Sequence, residues 1–393
     1  MGPELDYLAV VYESCEVHDV ENLMVVDASV MPDVVGSDTN ATTITRGRND
    51  CYIWFIHVLV RYLMKVSITG ATGHLGNSLL PQLLAEGFSI KVVCRENTDL
   101  TPLLHMDLEI ATAELSSADS LSEAFKGSEC VLHLASLISI MPFMKRSLER
   151  TNVVGTRNVI EACSRSQVRR LIYISSIHAI SQGVEGQTID ESFSIEPSLA
   201  QDAYGVSKAK ATLDVLEASD QGNIETVVIC PTGFVGPYER RGSRIGRVIK
   251  MHLEKGGIAY VSGAYDFVDV RDVSLGIISS IDRGRNGQHY ILSGQRVSVA
   301  ELFQYLHHEN GANRPRLKIP DSVALGLAYI NGYANRALGR DSLFTPSALH
   351  TIWSNSNISS DLARLELGHN PRHWTESITD QINWMRSQGL LRV

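Results

Sequence analysis

"MKVSITGATGHLGNSLL", residues 64 to 80, joins three local signals in one line. KVSIT is a short apolar, β-branched run, and GATGHLG is a turn holding three glycines. HLGNSLLPQLLAEG then carries apolar residues at helical spacing until Gly87 stops it. The order is strand, glycine turn, helix. Gly70 suits the tight turn, Gly73 lets the main chain approach a pyrophosphate, and Gly76 allows the helix to pack closely on its strand. The unpaired amides and positive dipole end of that helix favour a phosphate. A glycine string alone is weak evidence, so the same pattern has to continue downstream.

It does. SIKVVC (89 to 94), CVLHLAS (130 to 136), RLIYISS (170 to 176) and ETVVIC (225 to 230) read as strands, alternating with helical stretches around 119 to 126, 147 to 165 and 203 to 219. Nearly continuous apolar strands between helices predict an α/β fold, a Rossmann-type doubly wound parallel sheet covered on both faces. Its ligand would lie outside the carboxyl ends of the strands. The last third is mostly helical by pattern and is expected to form a smaller substrate lobe over that cleft.

Composition sets outer limits. The chain has 393 residues, 44% hydrophobic and 20% charged, enough for a large core. A net charge of -9 argues against nucleic acid and against an anionic membrane as partner. Cys15, Cys51, Cys94, Cys130, Cys163 and Cys230 form no C-x-x-C pair, so neither a metal site nor a disulfide framework is expected, and a reduced, cytoplasmic setting is the default. The longest apolar run, CYIWFIHVLVRYLM at 51 to 64, contains His57 and Arg61 and is shorter than the ~20 residues of a membrane span.

Chemistry gathers at the strand ends. RLIYISSIHA puts Ser175 and Ser176 at the end of one strand, and AYGVSKAKA puts Tyr204 and Lys208 four apart, on one face of a predicted helix. A tyrosine hydroxyl is a poor acid or base at neutral pH, but a neighbouring ammonium lowers its pKa. Ser176 can then hold a substrate oxygen while Tyr204 passes a proton to or from it. At the end of the second strand Arg95 suits a ribose 2'-phosphate, which favours NADP over NAD, although Asp99 is near enough in sequence to neutralise it.

With those residues in place, residues 64 to 393 resemble an extended short-chain dehydrogenase/reductase of the NAD-dependent epimerase/dehydratase family, in its dihydroflavonol reductase-like and 3β-hydroxysteroid dehydrogenase-like branch. TNVVGTRNVIEAC, CPTGFVGPY, FVDVRDVSLG and LGHNPR stand in the family's order. The resemblance implies a cofactor-binding part at about 64 to 235 and a substrate lobe mainly at about 236 to 393. It implies Ser176, Tyr204 and Lys208 as catalytic. It implies cofactor contacts from Gly70, Thr72, Gly73, His74, Leu75, Gly76, Arg95, Leu115, Leu134, Ala135, Ser136 and Pro231, with Tyr204 and Lys208 also touching the cofactor. ATAEL departs from the family's Gly-Asp-Leu, which leaves Glu114 as the acidic group near adenine. Ile177 and His178 replace the Asp-Glu pair of the family's dehydratases, so that elimination lacks its parts; His178 either touches substrate or is structural.

The expected activity is NAD(P)-dependent interconversion of a ketone and a secondary alcohol on a small-molecule substrate. Two rivals stay open: a nucleotide-sugar epimerase, whose diphosphate Arg240, Arg241, Arg244 and Arg247 would clamp, and a non-catalytic nucleotide sensor. A homodimer is compatible with the resemblance. Residues 16 to 44, with NLMVVDASVMP and TNATTI, resemble the C-terminal signature of the glucose-methanol-choline oxidoreductases, but no FAD-binding turn precedes them and no FAD is expected. The expectation is therefore an N-terminal extension, 1 to 63, without its own core, joined to an enzyme that begins at Met64.

Overall fold

In the glycine-turn stretch, strand β1 is Lys65–Thr69 and helix α1 is His74–Ala85. There follow β2 (Ser89–Cys94), β3 (Glu109–Thr112), α2 (Ala118–Phe125), β4 (Cys130–His133), α3 (Gly155–Arg165), β5 (Arg170–Ile174), α4 (Ala203–Asp220) and β6 (Glu225–Pro231). Beyond them come β7 (Gly233–Val235), α5 (Arg244–Lys255), β8 (Ala259–Val261), β9 (Ala264–Asp269), α6 (Val270–Arg283), β10 (Gln288–Leu292) and β11 (Gln295–Ser298). The chain ends in α7 (Val299–Asn310), β12 (Leu317–Ile319), α8 (Asp321–Ala337), α9 (Pro346–Trp353), α10 (Asp361–Leu367) and α11 (Trp374–Ser387). This computed structural model describes residues 64–139, 144–184, 186–222, 224–240, 242–257, 259–310, 317–337 and 342–391. The N-terminal extension, Cys15, Cys51 and Arg241 lie outside them.

One seven-stranded sheet runs in the order β10-β6-β5-β4-β1-β2-β3. The pairs β10/β6, β6/β5, β5/β4, β4/β1 and β2/β3 are all parallel. Strand order reverses between β1 and β4, which opens a crevice at their carboxyl ends. β4 and β5 are buried at every residue, the burial that continuous apolar strands require. Phe125 and Leu121 of α2 pack with Val159 and Cys163 of α3 on Val131 of β4 and Leu171 of β5. Each such side chain contributes roughly 1.5–3 kcal/mol on burial. Helices α1 and α6 pack together, as do α2 with α3 and α3 with α4. The rest is mostly helical, with two small sheets, β11-β9-β7 and β12-β8.

Three expected elements differ in extent, each for a local reason. The strand read as 130 to 136 stops at His133, because Leu137 is drawn off to the Asn152 side chain through its N–H (2.8 Å) and its carbonyl (2.9 Å). The strand read as 170 to 176 stops at Ile174, because Ser176 caps a helical turn at Ile177–Ala179 by accepting the His178 N–H. The helix read as 147 to 165 is a short turn at Lys145–Leu148, a π-helical stretch at Glu149–Val154, and then α3. π-helical turns often mark functional positions, and this one carries Asn152.

Two quoted motifs meet at α6. Arg372 of LGHNPR forms a bidentate pair with Asp272 of FVDVRDVSLG, at 2.7 and 3.1 Å, and its N–H also donates to that carboxylate. Asp269 caps α6 and pairs with Arg271, which in turn reaches Asp380 of α11. These motif residues tie the C-terminal helices to α6 and hence to α1.

Candidate active site

The carboxyl ends of β1, β2, β4, β5 and β6 face a cleft of about 1780 Å³. Its floor is the glycine turn. Gly70 has φ +79°, a conformation open to glycine, and a Cβ there would come within 2.6 Å of the Ala135 nitrogen. At Gly76 a Cβ would overlap the Ala71 carbonyl, whereas at Gly73 it would meet only the Gly70 carbonyl, at 3.2 Å. Gly73 lines the cleft, so its bare Cα leaves room for a ligand's phosphate to approach. The first turn of α1 carries no acidic residue, which keeps its dipole available to an anion. This floor fits a dinucleotide.

Every residue assigned to the cofactor from the sequence lines the same cleft. Thr72, His74 and Leu75 stand beside the glycines, Arg95 at the end of β2, and Leu115 beyond β3. Leu134, Ala135 and Ser136 follow β4, and Pro231 ends β6. His74 is committed elsewhere: its Nε2 is 2.8 Å from the Pro237 carbonyl oxygen, and burial pushes its pKa down to about 4. Its offer to a phosphate is the main-chain N–H. Arg95 is exposed and, among the described residues, has no ion pair; the nearby Asp99 carboxylate accepts the Thr101 N–H instead. Glu114 also lines the cleft and is exposed.

Ser176, Tyr204 and Lys208 converge on the cleft from β5 and α4. Asp202 caps α4 by accepting the Gly205 N–H at 2.7 Å, which fixes where the helix starts and so where Tyr204 sits. The Tyr204 side chain is only 9% exposed. Burial outweighs the lowering effect of the nearby Ser176 and Ser136 hydroxyls and pushes its pKa up to about 12. The expected lowering by Lys208 is therefore not the state of this site. Lys208 is 2% exposed and donates from Nζ to the Ile174 carbonyl (2.7 Å) and the Tyr173 hydroxyl (3.2 Å). Burial pushes its own pKa down to about 7, and it spends its charge on the strand end rather than on the phenol.

Three neighbours were not identified as site residues from sequence alone. Asn152 is buried: its Oδ1 accepts from Ser136 Oγ (3.2 Å) and the Leu137 N–H, and its Nδ2 donates to Ser207 (3.0 Å). It thereby ties the loop after β4 to α4. Tyr265 of β9 reaches the cleft and lies 2.9 Å from His178 Nε2, while the His178 ring packs edge-on to Tyr204. His178, left open between substrate contact and structure, lines the cleft as well. Burial lowers its pKa, with the Asp202 carboxylate opposing. Only Asn152 had a signal, its place in TNVVGTRNVIEAC; Tyr265 and Asp202 carry none.

Apolar side chains also wall the cleft: Phe234, Phe267, Met251, Phe303, Phe344 and Ile352 line it, as do the charged Arg240, Arg244 and Arg247.

A model described as the NAD dependent epimerase/dehydratase family matches residues 66–293, and one described as GMC oxidoreductase matches residues 1–47, a longer stretch than the 16 to 44 read from sequence. The chain is 30% identical over 330 residues to "Sterol demethylase protein B" of Methylococcus capsulatus, covering 84% of this chain and 100% of that one. It is 26% identical to "Putative dihydroflavonol 4-reductase" of Synechocystis sp., over 83% and 95% of the two chains. The solved structure of gox2253 superposes with a TM-score of 0.74 at 28% identity, over 83% of this chain and 99% of that one.

Proposed function

Because this chain belongs to the NAD dependent epimerase/dehydratase family, we propose that it reduces a ketone to a secondary alcohol on a bulky apolar molecule of sterol size, with NADPH and with Tyr204 as proton donor. The observation that carries this is that the Ser176 and Tyr204 hydroxyls line one cleft with Phe234, Phe267, Phe303 and Phe344. With its pKa raised by burial the phenol keeps its proton at neutral pH, which is the protonation state a donor to the carbonyl oxygen requires, though not a stronger acid. Ser176 holds the carbonyl oxygen beside it, and the two hydroxyls orient one substrate atom. When bound, NADPH would supply the hydride for reduction, and NADP+ would accept it in the reverse direction. Gly70, Gly73 and the α1 amides would hold its pyrophosphate, Arg95 its 2'-phosphate, and Lys208 its nicotinamide ribose.

The epimerase reading draws on Arg240, Arg244 and Arg247, which could face a sugar diphosphate. The apolar side chains that share the cleft with Tyr204 weigh against it, since a sugar offers hydroxyls that would lose their water against them. A screen of hydroxysteroids, ketones and nucleotide sugars, read by NADPH absorbance, separates the two. Stoichiometric NADPH loss with an apolar ketone supports the reductase. Conversion of a nucleotide sugar with no net change in cofactor would replace it.

A further inference from the structure

Helix α8 is apolar on two faces. Inside, Ala324 and Ala328 are fully buried and pack with Leu325 against Val261, Ile319, Phe344, Leu349 and Ile352. Those five partners line the cleft, so α8 backs its wall. Outside, Val323 is 51% exposed, Leu327 46%, Tyr329 51% and Ile330 69%. Val323, Leu327 and Ile330 follow the i, i+4, i+7 spacing of one helix face. From Ser322 to Asn335 no residue is charged. A surface helix of an ordinary soluble domain turns charge outward, and a helix apolar all round normally has apolar surroundings all round.

We propose that the outer face of α8 rests on a phospholipid surface. A second copy fits the patch poorly: with ~200 Å² for a fully exposed large side chain, the four residues offer roughly 400 Å², about half of the ~800 Å² each partner gives to a specific interface. A lipid surface needs no such area or shape match, and Tyr329 at the edge of the patch suits the headgroup level. The position also fits the proposed apolar substrate, on which this inference rests: the helix in contact with lipid is the one behind the cleft wall, so a ketone dissolved in lipid has a short path to the cleft. With a net charge of -9 and no charged residue from Ser322 to Asn335, attraction is hydrophobic and not electrostatic.

The test is co-sedimentation of the full chain with phosphatidylcholine vesicles, against a Leu327→Glu, Ile330→Glu double variant. Both side chains are largely exposed, so the variant should keep its melting temperature and its NADPH affinity. The wild type should pellet with phosphatidylcholine vesicles, with no gain from added phosphatidylserine and no loss in salt, and the variant should lose about tenfold or more in partitioning. Wild type left in the supernatant overturns the proposal, as does a variant that pellets equally, which would place lipid contact elsewhere in the chain. A dimer by light scattering that the variant dissociates, with no vesicle binding, would make the second copy the occupant. Pelleting requires no turnover, so its failure is separate from failure of the ketone reading, which the substrate screen decides.

Discussion

Replacing Tyr204 with Phe removes one oxygen from the centre of the site and little else. The neighbouring serines have partners of their own: Ser136 donates to Asn152, and Ser176 accepts the His178 N–H. No polar group is left stranded, so the stability cost should be at most about 1 kcal/mol, the worth of an ordinary hydrogen bond. The ring remains to pack edge-on with His178. Turnover is a different matter, because a lost general acid costs ~10²- to 10⁴-fold, or about 3–5 kcal/mol of barrier. The assay pairs steady-state NADPH consumption on the substrate found by screening with a fluorescence titration of NADPH and a thermal melt. Near-native melting and NADPH affinity with turnover down at least a hundredfold is the expected result. Wild-type turnover by Tyr204→Phe would refute the proton-donor assignment whatever the family, and a non-catalytic nucleotide sensor would become the better reading.

Arg95→Asp should weaken NADPH relative to NADH by ~10- to 100-fold, the loss of one charge-assisted contact, and an unchanged ratio would mean that the 2'-phosphate is read elsewhere. Burial lowers Lys208 from 10.5 to about 7 in the fold. Between those values the unfolded chain holds a proton that the folded chain has released, so stability should rise with pH there by up to ~1.4 kcal/mol per pH unit. Lys208→Met should flatten that slope, and equal slopes for the two proteins across that window would show the lysine to be solvated. A chain starting at Met64 should keep its NADPH affinity, because the seven-stranded sheet is complete within Lys65–Leu292. Loss of binding on that truncation alone would give residues 1 to 63 a role in the enzyme.

The sequence by itself determined what periodicity and glycine chemistry determine. Strand, turn and helix at Lys65–Ala85 follow from local residue types, and the later strands follow because a sheet covered on both faces needs unbroken apolar runs. Glycine roles were legible for the same reason: the absence of a Cβ is a property of one residue, although only the fold shows that Gly70 makes room for Ala135 and Gly76 for Ala71. Tyr204 and Lys208 were placed on one helix face by spacing alone. Their electrostatics were not, because a pKa depends on what surrounds a group. Burial raises the tyrosine and lowers the lysine, and the strand end takes up the ammonium that spacing had offered to the phenol. Tyr265 and Asn152 were decided by tertiary structure for a related reason. One reaches the cleft from a small sheet and the other from a π-helical turn; TNVVGTRNVIEAC marked the segment of Asn152, but its contacts with Ser136, Leu137 and Ser207 exist only in the fold. The apolar wall is likewise built from β7, β8, β9, β12, α5, α7 and α9, with α8 packed behind part of it, segments separated in sequence that become one surface only in the folded chain.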